Sequence, residues 1–234
     1  MKRSLPLIII ALVALAALSG GFLFYRAKLA QLNSASAGPA TGDDSLAKAE
    51  HVRGSATAPV TLEEFGDFQC PPCATLATSL EKIEQDYGAK VRVVFHHFPL
   101  EVHQHATLAA RTAEAAGLQG HFWPMHDLLF HNRDTWSAMA DVMAEFKTYA
   151  TSLGLNVDRL RSDIDSPAVR ERVEKDQDLG KSRNVSATPT VFINGTLLPL
   201  GSFSDPGLRA AIDAALKGEP LANAVTPSPT PPQP

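Results

Sequence analysis

Apolar residues along this chain follow two periods in turn. The run Pro59-Val60-Thr61-Leu62-Glu63-Glu64-Phe65 reads as a strand, with Val60, Leu62 and Glu64 on one face. From Ala74 to Ile83 the apolar positions shift to 76, 80 and 83, the spacing of an amphipathic helix. Val91 to Leu100 is again strand-like, more continuously apolar, and ends in a histidine-rich Phe98-Pro99-Leu100 turn. Helical patterns then cover His105 to Leu118, Phe122 to His131, Val142 to Leu153 and Pro167 to Asn184, with Gly117, Gly120 and Gly154 as stops. A structureless loop of that length would be unusual, so this insert, about 103–184, is expected to form a helical subdomain. Thr190–Ile193 and Leu197–Leu200 flank Asn194-Gly195, a hairpin signal, and Pro206 to Leu216 reads as a closing helix. The order predicts an α/β fold with a mixed sheet.

The ends differ from this middle. Lys2 and Arg3 precede Leu5 to Tyr25, 21 residues without a charge, closed by Arg26 and Lys28. As a helix this run spans about 31 Å, enough to cross a bilayer core. Residues 1–26 are therefore expected to be a membrane anchor. The rival reading is a cleaved secretory signal ending near Ala17-Leu18-Ser19, although Phe22-Leu23-Phe24-Tyr25 carries the apolar run beyond a usual signal core. Residues 27–54, rich in Ala, Ser, Gly and Asp, are expected to form a flexible tether with a short helix near Ser45 to Val52. Residues 55–218 make one domain, and 219–234 a proline-rich disordered tail. Of 234 residues about 165 belong to that domain, enough for a single core. The net charge of −4 offers no basic footprint, so a nucleic-acid partner is not expected. A monomer is expected.

Candidate chemistry centres on the only two cysteines, Cys70 and Cys73. A bridge across so small a loop removes little chain entropy, which argues for a redox centre rather than a staple. Cys70 would stand at a helix start, where unpaired N–H groups and the dipole favour a thiolate, with Cys73 one turn in. Cys70 is the expected nucleophile and Cys73 the buried resolving thiol. Pro71 and Pro72 lack amide hydrogens and stiffen the active-site loop without supplying charge. The bland readings are half of a zinc site, which would have to recruit histidines, or an inert pair.

Farther on, Ser186-Ala187-Thr188-Pro189-Thr190-Val191-Phe192-Ile193-Asn194-Gly195 places a proline directly before an apolar strand that turns back at Asn-Gly. Strand, Cys-Pro-Pro-Cys, helix and Thr-Pro-Thr-Val-Phe-Ile-Asn-Gly together resemble the thioredoxin superfamily, and within it DsbA-like thiol:disulfide oxidoreductases, over roughly residues 55–218. The resemblance implies a thioredoxin-like fold with an inserted helical subdomain. It also implies a cis Thr188–Pro189 bond lying against the active-site cysteines, with Thr188 and Pro189 binding substrate.

Glu64 alternates onto the core face, and the resemblance supplies a role for it: an acid beneath the disulfide, its pKa raised by desolvation, exchanging a proton with Cys73. Glu63 is expected to be an exposed charge. The histidine groups His96 and His97, His103 and His105, and His121, His126 and His131 carry no strong metal spacing and are read as solvated or core-satisfied. Asn194-Gly195-Thr196 matches a glycosylation acceptor by accident of the turn. Phe122, Trp123, Phe130 and Trp136 are read as packing of the insert, with a substrate groove as their second use.

The expected function is a membrane-tethered disulfide oxidoreductase, extracytoplasmic and single-pass, or secreted if the leader is cleaved. It exchanges disulfides with substrate proteins through Cys70 and Cys73, without dissociable cofactor or metal, and is regenerated by a separate redox partner. Oxidase is the first direction. The alternatives are a thiol reductase and, from another class, a non-enzymatic metal carrier using thiols and histidines.

Overall fold

The computed structural model describes residues 51–221. Five strands form one sheet in the order β1-β3-β2-β4-β5: β1 (Val52–Gly54), β2 (Val60–Gly66), β3 (Val91–His97), β4 (Thr190–Ile193) and β5 (Thr196–Leu198). Only the β2–β3 pair is parallel, and it needs the crossover helix α1 (Pro71–Tyr87). The other pairs are antiparallel, so the sheet is mixed. Asn194 and Gly195 both have positive φ, 48° and 79°, as a two-residue hairpin turn requires.

The register explains which residues are buried. Val60 pairs with Val91, Leu62 with Val93 and Glu64 with Phe95, so these six share one face. On that face Val60, Leu62, Val91 and Val93 pack against Leu76, Leu80 and Ile83 of α1 and against Leu208 and Ile212 of α8 (Asp205–Lys217). Phe95 points into a second cluster built largely by the insert. The insert comprises α2 (Ala106–Gly117), α3 (Phe122–His131), α4 (Arg133–Trp136), α5 (Met143–Ser152), α6 (Val157–Ile164) and α7 (Pro167–Ser182). On the opposite sheet face Phe65 packs with Phe98, Val185 and Phe192. Gly180 of α7 permits this approach, since a Cβ there would fall 2.7 Å from the Phe98 ring.

Several expectations change. The proposed tether ends early, because Val52–Gly54 is a strand paired with Val94, Val93 and Arg92. The helix proposed near Ser45 to Val52 is therefore not helical at Val52, and its remainder lies outside the described residues. Glu63 is not exposed: it is 1% accessible and ion-paired to His96 at 2.9 Å and Arg183 at 2.6 Å. Those partners are remote in sequence, so alternation alone could not reveal them. The last strand is shorter than Leu197–Leu200, with Leu200 already in a 3-10 turn. Helices α4 and α6 had not been expected. Phe122, Phe130 and Trp136 are buried within the insert cluster, with Trp123 packed against it, and none lines the groove beside Pro189 described below. The Asn194 side chain bonds Thr61 N at 2.8 Å and Pro59 O at 3.2 Å, in keeping with a structural turn residue.

Among the described residues no helix is long and apolar enough to cross a membrane. The expected anchor or signal segment, most of the expected tether and the tail from residue 222 lie outside them.

Candidate active site

Cys70 is the N-cap of α1, in extended backbone, and Pro71 and Pro72 occupy the first helical turn. That arrangement changes the expected source of thiolate stabilisation. A helix start ordinarily offers several free N–H groups, but the two prolines remove two of them, leaving Cys73 N–H as the donor that faces the Cys70 sulfur. The Cys70 thiol is pulled down to about 6. The first cause is the Cys73 thiol hydrogen bond, which outweighs partial burial; Thr188 and the Cys73 amide add to it, and the Asp67 carboxylate opposes it. Cys73, fully inaccessible, is pushed well above the usual thiol value by burial, by the Cys70 hydrogen bond and by the Glu64 charge. The two sulfurs thus share one proton unequally.

The Thr188–Pro189 bond is cis, and the Thr188 carbonyl accepts from Cys70 Sγ at 3.3 Å. That contact favours the thiol. The Thr188 hydroxyl is buried and makes no hydrogen bond while Cys70 is a thiol, and by turning to the sulfur anion it favours the thiolate. Thr188→Val, which removes the donor but keeps the shape, should therefore raise the Cys70 pKa by about one unit. Thiolate absorbance followed against pH checks this; an unchanged midpoint would mean that the hydroxyl contributes nothing.

Glu64 lies on the sheet face toward α1, 1% exposed, with neither carboxylate oxygen hydrogen-bonded. Burial, then the Cys70 charge, raises its pKa to about 8, against a small opposing pull from Arg53. At neutral pH Glu64 is mainly a protonated, neutral acid, and once it ionises its charge opposes deprotonation of Cys73.

Distant residues that sequence reasoning missed hold the cysteine loop. Asp67 Oδ1 accepts from Gln69 N at 2.7 Å, an Asx turn of the kind a short acid two residues upstream makes. Asp67 Oδ2 accepts from Leu100 N and pairs with His103. Gln69 in turn bonds His105 N at 2.7 Å and Ser137 O at 3.2 Å, while Arg133 Nε donates to Gln69 O at 2.7 Å. Only the Asp67 turn had a local signal.

A groove of about 330 Å³ opens beside Pro189, lined by Ser186, Ala187, Leu197, Leu200 and Phe203 among others, and Leu200 is 70% exposed. The histidines of the three sequence groups are not gathered into one site. His96 sits between Glu63 and Asp176, His103 meets Asp67, His105 meets Met139 O, and His121 meets Gln119 O. His126 and His131 pair with Asp127 and Glu81. His97 alone joins a cluster with His51 and Glu114.

A family model described as Thioredoxin matches residues 46–214. The structure is similar to oxidised BdbD of Bacillus subtilis, with 28% identity, TM-score 0.64, and coverage of 71% of this chain and 92% of that one. It is similar also to a thioredoxin-like oxidoreductase of Silicibacter pomeroyi, with 25% identity, TM-score 0.62, and coverage of 75% and 98%. In sequence it is 39% identical over 173 residues to a protein named Na(+)/H(+) antiporter NhaA 1 of Salinispora arenicola, covering 74% of this chain and 26% of that protein. The chain spans about a quarter of the length of the curated relatives it matches.

Proposed function

The chain belongs to the thioredoxin family, as a DsbA-like member, and from that premise we propose that it is an extracytoplasmic, membrane-tethered protein thiol:disulfide oxidoreductase working through Cys70 and Cys73 as an oxidase. The observation that carries it is the unequal sulfur pair: a low-pKa Cys70 at the head of α1 and a buried high-pKa Cys73 behind it. In the oxidised form a substrate thiolate attacks Cys70 Sγ, and the Cys70–Cys73 bond breaks with its electron pair going to Cys73. Glu64, held toward its protonated form by burial, supplies the proton this poor leaving group takes up. A second substrate thiolate then attacks the substrate sulfur of the mixed disulfide and expels Cys70 as a stable thiolate. The substrate gains a disulfide and the protein two electrons, which a separate redox partner removes. The groove beside Pro189 suits an apolar substrate segment, and Thr188 supplies the backbone that pairs with it.

Stabilising the Cys70 thiolate stabilises the reduced protein, hence the oxidase direction. The shift is moderate: a pKa of about 6 lies between roughly 7 for thioredoxin and roughly 3.5 for the strongest oxidant of this type. That same observation favours a reductase as the second reading. Equilibration with glutathione buffers decides: a potential above roughly −180 mV supports oxidase, and one near −270 mV reductase. With reduced, unfolded ribonuclease the oxidised protein should restore activity stoichiometrically, and failure to do so would refute exchange altogether.

The tether and its topology rest on the uncharged run Leu5 to Tyr25 and on the chemistry, since disulfides persist where thiols are not continually reduced. Protease added to intact spheroplasts should digest the domain, and full protection would reverse the topology. Ion transport is not part of the proposal, because the matched portion is a quarter of the antiporter.

A further inference from the structure

We propose that His51, His97 and Glu114 form a site for a divalent transition-metal cation, Zn²⁺ first, independent of the cysteines. His51 Nε2 lies 2.6 Å and His97 Nε2 2.9 Å from the same oxygen, Glu114 Oε1, and the three ligand atoms lie within 4.8 Å of one another. They come from three elements: the residue before β1, the end of β3, and α2 of the insert.

The rings are fixed before any ion arrives. His51 stacks on Phe122 at 3.4 Å between centroids and 5° between planes, and its carbonyl accepts from Phe95 N at 3.0 Å. His97 is fully buried, edge-on to Phe95 and Phe122. Such fixation lowers the entropy that three converging side chains would otherwise lose on coordination.

The required rearrangement is local to the three side chains. A tetrahedral zinc site with bonds of about 2.0 to 2.1 Å holds its ligand atoms about 3.3 Å apart, so the carboxylate oxygen withdraws by roughly half an ångström and the two imidazole nitrogens, now within 4.8 Å, settle at that same spacing. Each imidazole must present a bare Nε2 and carry its proton on Nδ1. At His97 that tautomer gives up no bond, since Nδ1 has no partner already. A hollow of about 380 Å³, lined by His51, Glu114, Gly117, Phe122 and Pro124, reaches His51 and Glu114 from outside and has room for water to complete the shell. Arg172 Nε, 3.9 Å from Glu114 Oε1, offsets part of the carboxylate charge and limits affinity. Two imidazoles and one carboxylate suit zinc and its neighbours, whereas calcium and magnesium require oxygen-rich sites.

A bound ion would clasp β1 and β3 to the insert. The test uses the untagged full-length chain in detergent with Cys70 and Cys73 oxidised, so that thiolates cannot compete. Calorimetric titration should find one Zn²⁺ per chain, with His51→Gln and Glu114→Gln each at least about tenfold weaker. Zinc at 100 times its dissociation constant should raise the wild-type melting temperature by about 5 °C or more. Co²⁺ should give visible ligand-field bands without thiolate charge transfer, a readout that stands even if both variants fail to fold. No stoichiometric zinc, Ca²⁺ binding in preference to Zn²⁺, or unchanged zinc affinity in a folded variant would each overturn the proposal.

Discussion

At pH 5.5 Cys70 of the reduced protein should alkylate up to about 20-fold faster than a free cysteine, its 4% exposure setting how much of that gain a small reagent realises, while Cys73 stays unmodified. The factor follows from two opposed effects. With a pKa of about 6, roughly a quarter of Cys70 is thiolate at that pH, against about 0.1% of a free thiol of pKa 8.5. The intrinsic nucleophilicity of the weaker base falls by about tenfold over the same interval, leaving the net gain. At pH 7 the advantage shrinks to about threefold, so the acidic assay is the discriminating one. Cys73 is both inaccessible and shifted upward. The substitutions follow from the same asymmetry. Cys70→Ser should reduce disulfide transfer to the uncatalysed background. Cys73→Ser should retain attack but lose resolution, accumulating mixed disulfides that a non-reducing gel displays. Equal labelling of both thiols, or trapping on Cys73, would reverse their assignments.

Replacing Glu64 should make the protein more stable and less active at once. For an acid whose folded pKa exceeds its unfolded value, the native state binds the extra proton, so stability is lost as pH rises from the unfolded pKa to the folded one. For Glu64 that window runs from about 4.5 to about 8. Ionising it in the unfolded chain and retaining its proton in the fold costs about 4 kcal/mol of stability by pH 8. Glu64→Leu removes that penalty. Allowing for repacking around a branched side chain, urea denaturation of the reduced protein at pH 8 should show a gain of about 3 kcal/mol that fades toward pH 4.5. Exchange should slow in the same variant, because Cys73 must then leave without a neighbouring acid. A variant that is destabilised at pH 8, or fully active, would remove Glu64 from the site.

The redox centre was legible because its determinants are local. Cys70, Cys73 and the two prolines lie within one turn at the start of the helix that follows, and the hairpin needs only Asn194 and Gly195. The Glu64 orientation followed from a two-residue period. What sequence reading missed depends on distant partners. Glu63 looked like an exposed charge because His96 and Arg183, which neutralise it, are 33 and more residues away. The convergence of His51 with Glu114 spans 63 residues. Strand β1 is three residues with no period to read, and its pairing with β3 is a matter of backbone. Helix α6 is largely charged, with only Leu160 and Ile164 buried, although its Asn156 cap was a readable start signal.

The groups that stabilise the Cys70 sulfur anion are a thiol, a hydroxyl and an amide, and every one of them is electrically neutral. Mobile ions weaken an exposed pair of charges within a screening length of about 8 Å at physiological salt, but they act little on short hydrogen bonds inside a partly closed loop. A redox centre poised by a counter-cation would drift with the salinity of its surroundings. This one is set largely by dipoles held in place by the fold, with the buried Asp67 carboxylate opposing them, so its driving force should change little between dilute and briny media.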